Sequence, residues 1–291
     1  MPKVKVLRID QFKSAATFRD FYVNSIADHL VTSHLHIERP HRHNFFATML
    51  FTNGSGTHSI DFKTYDVRPG SVFMMAPGQI HHWELSSDTD GWIFFHTQEF
   101  YELRYVDERL SDYRFFSHVT DLQSAVLASE QSSEIASLIA KMAQSDVTAT
   151  VMRDRYIISL IAQVYILLSV FTQKEQDEIA NISSGYATKF RAFEKLLESN
   201  FRKEKSPEKY ASLLSMSAKH LNRINKSMVD MSTSDIIIER VLLEARRMLI
   251  YSGLPLHEIA LDLGFEDYAY FSKLFKKKTG LTPSRFKARH L

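Results

Sequence analysis

The sequence predicts an α+β chain of two domains. An antiparallel β-barrel or sandwich with flanking helices comes first, and an all-α domain with two helix-turn-helix units joined by a helix follows. Three observations carry this. Residues Pro255 to Phe286 read as helix, tight turn, helix and stop. The same pattern occurs about fifty residues earlier. Short apolar strands separated by turn signals fill the first 120 residues. The length of 291 residues suits about two domains.

Taken in order, residues 1–120 are expected to be mostly β. Val4 to Ile9 alternates loosely. Asn44 to Thr52 is an apolar, aromatic and β-branched run, with Asn53-Gly54 as a turn after it. Thr57 to Phe62 alternates again. Arg68-Pro69-Gly70 marks a turn before Ser71 to Ala76, which reads as a buried strand. Pro77-Gly78 precedes Gln79 to Leu85, and Trp92 to His96 is a further strand. From about Asp121 to Phe171 the pattern turns helical. Ser133 to Met142 is amphipathic, and Arg153 to Phe171 is apolar nearly all round. Ser159, Gln163 and Ser169 interrupt it, so it reads as too short and broken for a membrane span. Thr172 to Gly185 is polar and small and reads as a linker. The expected organisation is therefore 1–171, a linker at 172–185, and 186–291.

In the last region, Ile259, Ala260 and Leu263 give a short helix one apolar face. Gly264 ends it by taking a left-handed turn without a Cβ clash. Asp267 caps the next helix, whose core face is Phe271, Leu274 and Phe275. Upstream, Ala211 matches Ala260 and Ser215 falls where Gly264 does, at an offset of 49. After the turn the offset is 50, so Leu221, Asn222 and Arg223 match Phe271, Ser272 and Lys273. Asp235 to Ser252 reads as the joining helix, with Ile236, Val241, Leu242, Ala245, Leu249 and Ile250 available to the core. It would be roughly 27 Å long, a little short of one DNA turn of roughly 34 Å. A helix of that length can hold two recognition helices in successive major grooves.

Charge supports this. Residues 186–291 hold 20 Lys and Arg against 12 Asp and Glu, a balance of +8, while residues 1–185 hold 16 against 22, a balance of −6. The basic part is the part with the paired units, as phosphate binding requires. In the first unit, Lys219, Asn222 and Arg223 are expected at base edges, with Ala218 beside them. In the second unit these are Tyr268, Ala269 and Lys273, with Ser272 beside them. Arg and Lys suit guanine, Asn suits adenine, and Ala or a Tyr ring can meet a thymine methyl. Lys226, Lys276 and Lys277 are expected at phosphates.

The run I-A-L-D-L-G-F-E-D-Y-A-Y-F-S-K-L-F-K-K-K-T-G-L-T-P-S-R-F, with E-R-V-L-L-E-A-R-R-M-L before it, resembles the AraC/XylS family of transcription regulators. The resemblance runs from Ser206 to Leu291. That family usually has phenylalanine near Asn225 and glycine near Asp230. This chain has neither, which puts the exit from the first recognition helix at issue. The stretch from His41-Arg42-His43 through Pro77-Gly78-Gln79-Ile80-His81-His82-Trp83-Glu84 resembles the cupin-like effector domain of such regulators. The resemblance implies a regulator of activator type that binds operator DNA, senses a small organic effector, engages RNA polymerase and forms a homodimer through Arg153 to Phe171.

His41, His43 and His81 also resemble the metal motifs of cupin enzymes. Those sites add a carboxylate where Phe46 and Ala47 stand here, so no metal and no cofactor is expected. Instead His43, Phe46, His81, His82 and Trp83 are expected to line an apolar effector pocket. No cysteine is present, which removes disulfides, thiolate nucleophiles and Cys-ligated zinc. There is no phosphate-binding glycine loop, nucleophile elbow or nucleotide fingerprint, and the N-terminus lacks a signal-peptide core. A cytoplasmic, non-enzymatic, membrane-free protein is expected. A metal-dependent cupin enzyme with a helical appendage, or a DNA-binding protein that needs no effector, are the competing readings.

Overall fold

The structure is a computed structural model that describes residues 5–12, 20–37, 39–102, 110, 113–117, 122–144, 150–173 and 184–289. Contacts divide the chain into two compact units, residues 5–177 and 178–291.

The first unit is built on two five-stranded sheets. Its strands are β1 (Val6–Leu7), β2 (Phe21–Ser25), β3 (His41–His43), β4 (Phe46–Asn53), β5 (Gly56–Ile60), β6 (Lys63–Val67), β7 (Ser71–Met75), β8 (Ile80–Leu85), β9 (Asp90–His96) and β10 (Ser124–Val126). One sheet has the order β1-β3-β8-β5-β6 and the other β10-β7-β4-β9-β2. All pairs are antiparallel except β1 with β3. The first core lies between the sheets, where Ile60, Val67 and Trp83 of one meet Tyr22, Met49, Phe51, Phe73 and Phe95 of the other.

The second sheet is covered on its outer face too. Helices α3 (Ser129–Ala143) and α4 (Thr150–Gln173) pack Ile135, Ile139, Ile157, Ile161 and Leu168 against Phe21, Leu50, Val72 and Phe94. This explains why β4 and β7 read as continuous apolar runs and not as alternating ones: both of their faces are dry. Tyr165 of α4 fastens helix to sheet. His96 Nδ1 is 2.9 Å from the Thr97 carbonyl and donates to it, so Nε2 is left to accept from the Tyr165 hydroxyl at 2.6 Å.

Several expectations are corrected. The first 120 residues also carry helices α1 (Ile26–Ile37) and α2 (Gln98–Glu102). The region after Asp121 is not wholly helical, because Ser124–Val126 pairs with β7. Within α4, Met152–Thr172 is in fact long and apolar enough to cross a membrane by composition. Its Ile157, Ile161, Val164 and Leu168 are buried in the core that it shares with α3 and the sheet. The predicted linker is shorter at both ends. Thr172 still belongs to α4 and Gly185 to α5, while residues 174–183 lie outside the described residues.

The second unit is all helix: α5 (Ser184–Asn200), α6 (Pro207–Leu213), α7 (Ala218–Val229), α8 (Thr233–Tyr251), α9 (Leu256–Asp262), α10 (Tyr268–Thr279) and α11 (Pro283–Arg289). The repeat holds at the level of single hydrogen bonds. Met216 N donates to Ala211 O at 3.0 Å, and Phe265 N donates to Ala260 O at 2.9 Å. Ser215 and Gly264 both have positive φ, 53° and 73°. Ser217 caps α7 and Asp267 caps α10. Asp230 and Gly280 end those helices in the left-handed region, at φ 53° and 78°. The departure at Asp230 therefore leaves the exit geometry intact. Asn225 is buried, and its Nδ2 donates to Thr233 Oγ1 at 3.0 Å. Leu274 and Ile250, expected in the core, are half-buried.

Candidate nucleic-acid interface and buried histidine cluster

Helix α8 carries the scaffold of the interface. Its 19 residues span about 28 Å and touch α6, α7, α9 and α11. Inside it, Glu244 is buried among three guanidiniums: Arg202 at 2.7 Å, Arg247 at 3.3 Å and Arg240 at 3.5 Å. Burial pushes its carboxyl pKa up, but the guanidiniums outweigh that and hold it below the usual range. Arg202 also pairs with Asp262 of α9, and Lys278 of α10 pairs with Asp235 of α8 at 2.7 Å. Gly264 closes against this frame. A Cβ there would lie 2.2 Å from the Arg202 carbonyl oxygen, so only glycine fits.

The recognition faces follow from the two caps. On α7, Lys219, Arg223 and Lys226 are exposed, while Ala218 and Asn222 are half-buried. Together with Ser217 and His220, all of these but Ala218 line a groove of about 550 Å³. Asn222 is committed in part: its Oδ1 accepts from Thr233 N at 3.0 Å and so caps the start of α8. One lone pair of Oδ1 and both Nδ2 hydrogens remain for a base edge. On α10, Ala269, Lys273, Lys276 and Lys277 are exposed, and Tyr268 and Ser272 are half-buried. Among the described residues, Lys219, Lys226, Lys273, Lys276 and Lys277 enter no ion pair. Two residues were missed. Tyr270, 59% exposed, sits in the first turn of α10, three residues before Lys273. His220 lies between Arg223 and Lys189, and its pKa is lowered, by desolvation first and then by those two cations.

In the first unit, strand parity sorts the predicted pocket residues. His43, His81 and Trp83 face the space between the sheets. Phe46 lies one position from Ala47 on β4 and points to the helical side, where it stacks on His96. His82 alternates with His81 and Trp83 and faces away from them. Phe46 and His82 are thus corrected out of the inner set. His58 and His41 join it instead. His41 and His81 rings lie 4.3 Å apart, and His58 Nε2 is 3.0 Å from His81 Nδ1. The alternation of Thr57 to Phe62 carried the signal for His58.

Burial keeps four of the imidazoles neutral, those of His29, His43, His58 and His81. Burial, then the neighbouring histidines, push His29, His43 and His58 down to about 3 and His81 well below its usual value. His43 Nδ1 donates to the Phe45 carbonyl at 2.8 Å, so its Nε2 is an acceptor without a partner among the described residues. In the His58–His81 pair, either tautomer leaves one donor and one acceptor unused, at His58 Nδ1 and His81 Nε2. No group of three or more potential ligands with metal-binding geometry occurs among the described residues.

Comparison with known proteins now bears on both units. A model of the AraC-like ligand binding domain matches residues 30–98, and a helix-turn-helix domain model matches residues 210–289. The chain belongs to the AraC family of transcription regulators. The HTH-type transcriptional activator RhaS of Mannheimia succiniciproducens is 26% identical over 249 residues, covering 84% of this chain and 87% of that one. The arabinose operon regulatory protein of Salmonella typhimurium is 22% identical over 257 residues, covering 87% and 86%. The crystal structure of ToxT from Vibrio cholerae is 12% identical, with a TM-score of 0.41, covering 92% of this chain and 98% of that one. This AraC-family chain is accordingly a ligand-sensing, DNA-binding regulator.

Proposed function

We propose that the chain is a dimeric transcription activator that reads two short DNA boxes about one helical turn apart and responds to a small, uncharged, hydroxyl-bearing effector held between the two sheets. The observation that carries the DNA reading is the duplicated turn, matched in its backbone hydrogen bonds and followed by a side-chain cap in both units, with its two basic faces on one α8 scaffold. Arg223 and Lys273 are the leading base contacts, Tyr268, Ala269 and Tyr270 the apolar ones, and Lys226, Lys276 and Lys277 the phosphate contacts.

The effector class rests on the chemistry of the side chains between the sheets. The neutral imidazoles offer one open donor and two open acceptors beside aromatic rings. Among the described residues of this unit no Asp, Glu, Lys or Arg is buried. A charged ligand would find no counter-ion, whereas a hydroxyl can donate and accept. The relative named for the arabinose operon agrees with that class. The protein acts by binding and not by catalysis, in the cytoplasm, and passes its state to RNA polymerase.

The dimer rests on α4. Met152, Tyr156, Ser159, Gln163, Ile166 and Val170 follow one another at steps of four and three, the spacing of a coiled-coil seam. Met152, Tyr156, Ile166 and Val170 are 56, 40, 49 and 50% exposed although large and apolar. Titration of a candidate polyol in the presence and absence of operator DNA tests the switch. Linked sites must show reciprocal changes in affinity, and equal ligand affinity in both would contradict it.

A further inference from the structure

Helix α5 precedes the stretch matched by the helix-turn-helix model, which begins at residue 210. It nevertheless packs on α7 and brings two side chains to the recognition face. The Tyr186 and His220 rings meet edge-on with centroids 5.8 Å apart, and the Arg223 guanidinium lies 5.8 Å from the Tyr186 ring. Arg223 Nη2 donates to His220 Nδ1 at 2.8 Å, and Lys189 Nζ stands 3.4 Å from His220 Nε2.

These contacts do not balance. Guanidinium and ammonium only donate, and a neutral imidazole has one acceptor nitrogen. Arg223 takes that nitrogen. His220 Nε2 then carries the hydrogen and faces the ammonium of Lys189, donor against donor. Protonating His220 makes matters worse, because Nδ1–H would then face the guanidinium. Lys219 and Lys226 line the same groove. Among the described residues, none of Lys189, Lys219 and Arg223 has a carboxylate partner. An oxyanion seated between Lys189 and His220 would accept from both and remove the conflict.

We infer that Lys189 and His220 grip one backbone phosphate of the DNA, so that α5 extends the first box's contact beyond the helix-turn-helix unit. The inference rests on α7 being a recognition helix. Its chemistry is that of a phosphate oxyanion, and the test separates a phosphate of the DNA backbone from a free ion. The full-length protein is titrated with an enriched duplex and an unrelated duplex at several salt concentrations. Lys189 is exposed, so Lys189→Gln leaves the fold intact. This variant should weaken both duplexes by the same factor and lower the salt slope by about 0.9, and Lys189→Arg should restore it. A single methylphosphonate at the contacted position should cost the wild type the same factor and Lys189→Gln nothing more.

An unchanged slope overturns the inference. So does a changed preference between the duplexes, which would make Lys189 a base reader. A melting-temperature rise with inorganic phosphate that depends on Lys189, while DNA affinity does not, would make the site one for a free ion and overturn it as well. A wild type with no affinity for any duplex would instead sink the recognition-helix reading itself.

Discussion

At the scale of single residues, the turns of the second unit depend on backbone conformations that side chains resist. Gly264 lies at φ 73° with the Arg202 carbonyl where its Cβ would be. Gly264→Ala is therefore expected to cost at least 2 kcal/mol, from left-handed strain of about 1–2 kcal/mol plus the displaced neighbour. Asp230 holds the same conformation without that crowding. Asp230→Gly is expected to stabilise the helical unit by about 1 kcal/mol. Urea unfolding of both variants checks this, and opposite signs are required. The buried histidines set a pH dependence for the other unit. Folding holds His29, His43 and His58 at about 3 and His96 at about 4, while the unfolded chain titrates near 6.5. Between those values the unfolded chain binds more protons, so stability falls as pH drops, by roughly 1.4 kcal/mol per group per pH unit. The melting transition of the β-rich unit should drop steeply from pH 7 to pH 5. A flat profile would contradict the neutral buried cluster. Parity along a strand, not residue type, decides membership of that cluster. This is why Phe46 and His82 were misplaced and His58 overlooked, although Ala47 and Met49 beside the one and Trp83 beside the other show which face is inward.

At the scale of elements, legibility tracked how much of each element's reason for existing was local. Helices α9 and α10 could be read because Gly264, Asp267, Gly280 and Pro283 each mark a backbone requirement. Helices α6 and α7 place Ser215 and Asp230 in the left-handed region, where neither residue type announces it. The repeat exposed Ser215, and the glycine usual in the resembled family pointed to Asp230. Helix α1 turns Ile26, His29 and Leu30 inward, little more than one turn of pattern, and was missed. Strand β10 is three residues long and exists because β7 offers it an edge. Helix α4 was legible as apolar, and the family resemblance implied that it also faces a partner; one side is buried in the core and the other is an exposed seam. That seam carries a prediction. Ile166→Glu with Val170→Glu should convert the proposed dimer to a monomer in sedimentation equilibrium and leave the melting temperature near that of the wild type, because neither residue is in the core. A dimer that survives the double substitution would place the interface elsewhere.

At the scale of the whole molecule, the chain joins a unit whose interior is neutral and aromatic to a unit whose recognition faces are cationic. The charge asymmetry along the sequence, −6 against +8, is the coarse trace of that division. In the second unit the two recognition helices share one frame. Arg202 ties α8 to α9, and Lys278 ties α10 to the start of α8. The two boxes should therefore be read at a fixed phase and not as independent half-sites. The most direct test is selection of the full-length protein on a pool of random duplexes at two salt concentrations, read by sequencing. The expected result is one motif with two short boxes about one helical turn apart, the first lost with Arg223→Ala and the second with Lys273→Ala. Bulk, salt-sensitive binding with no enriched motif, with or without an effector that the β-rich unit binds, would contradict the account.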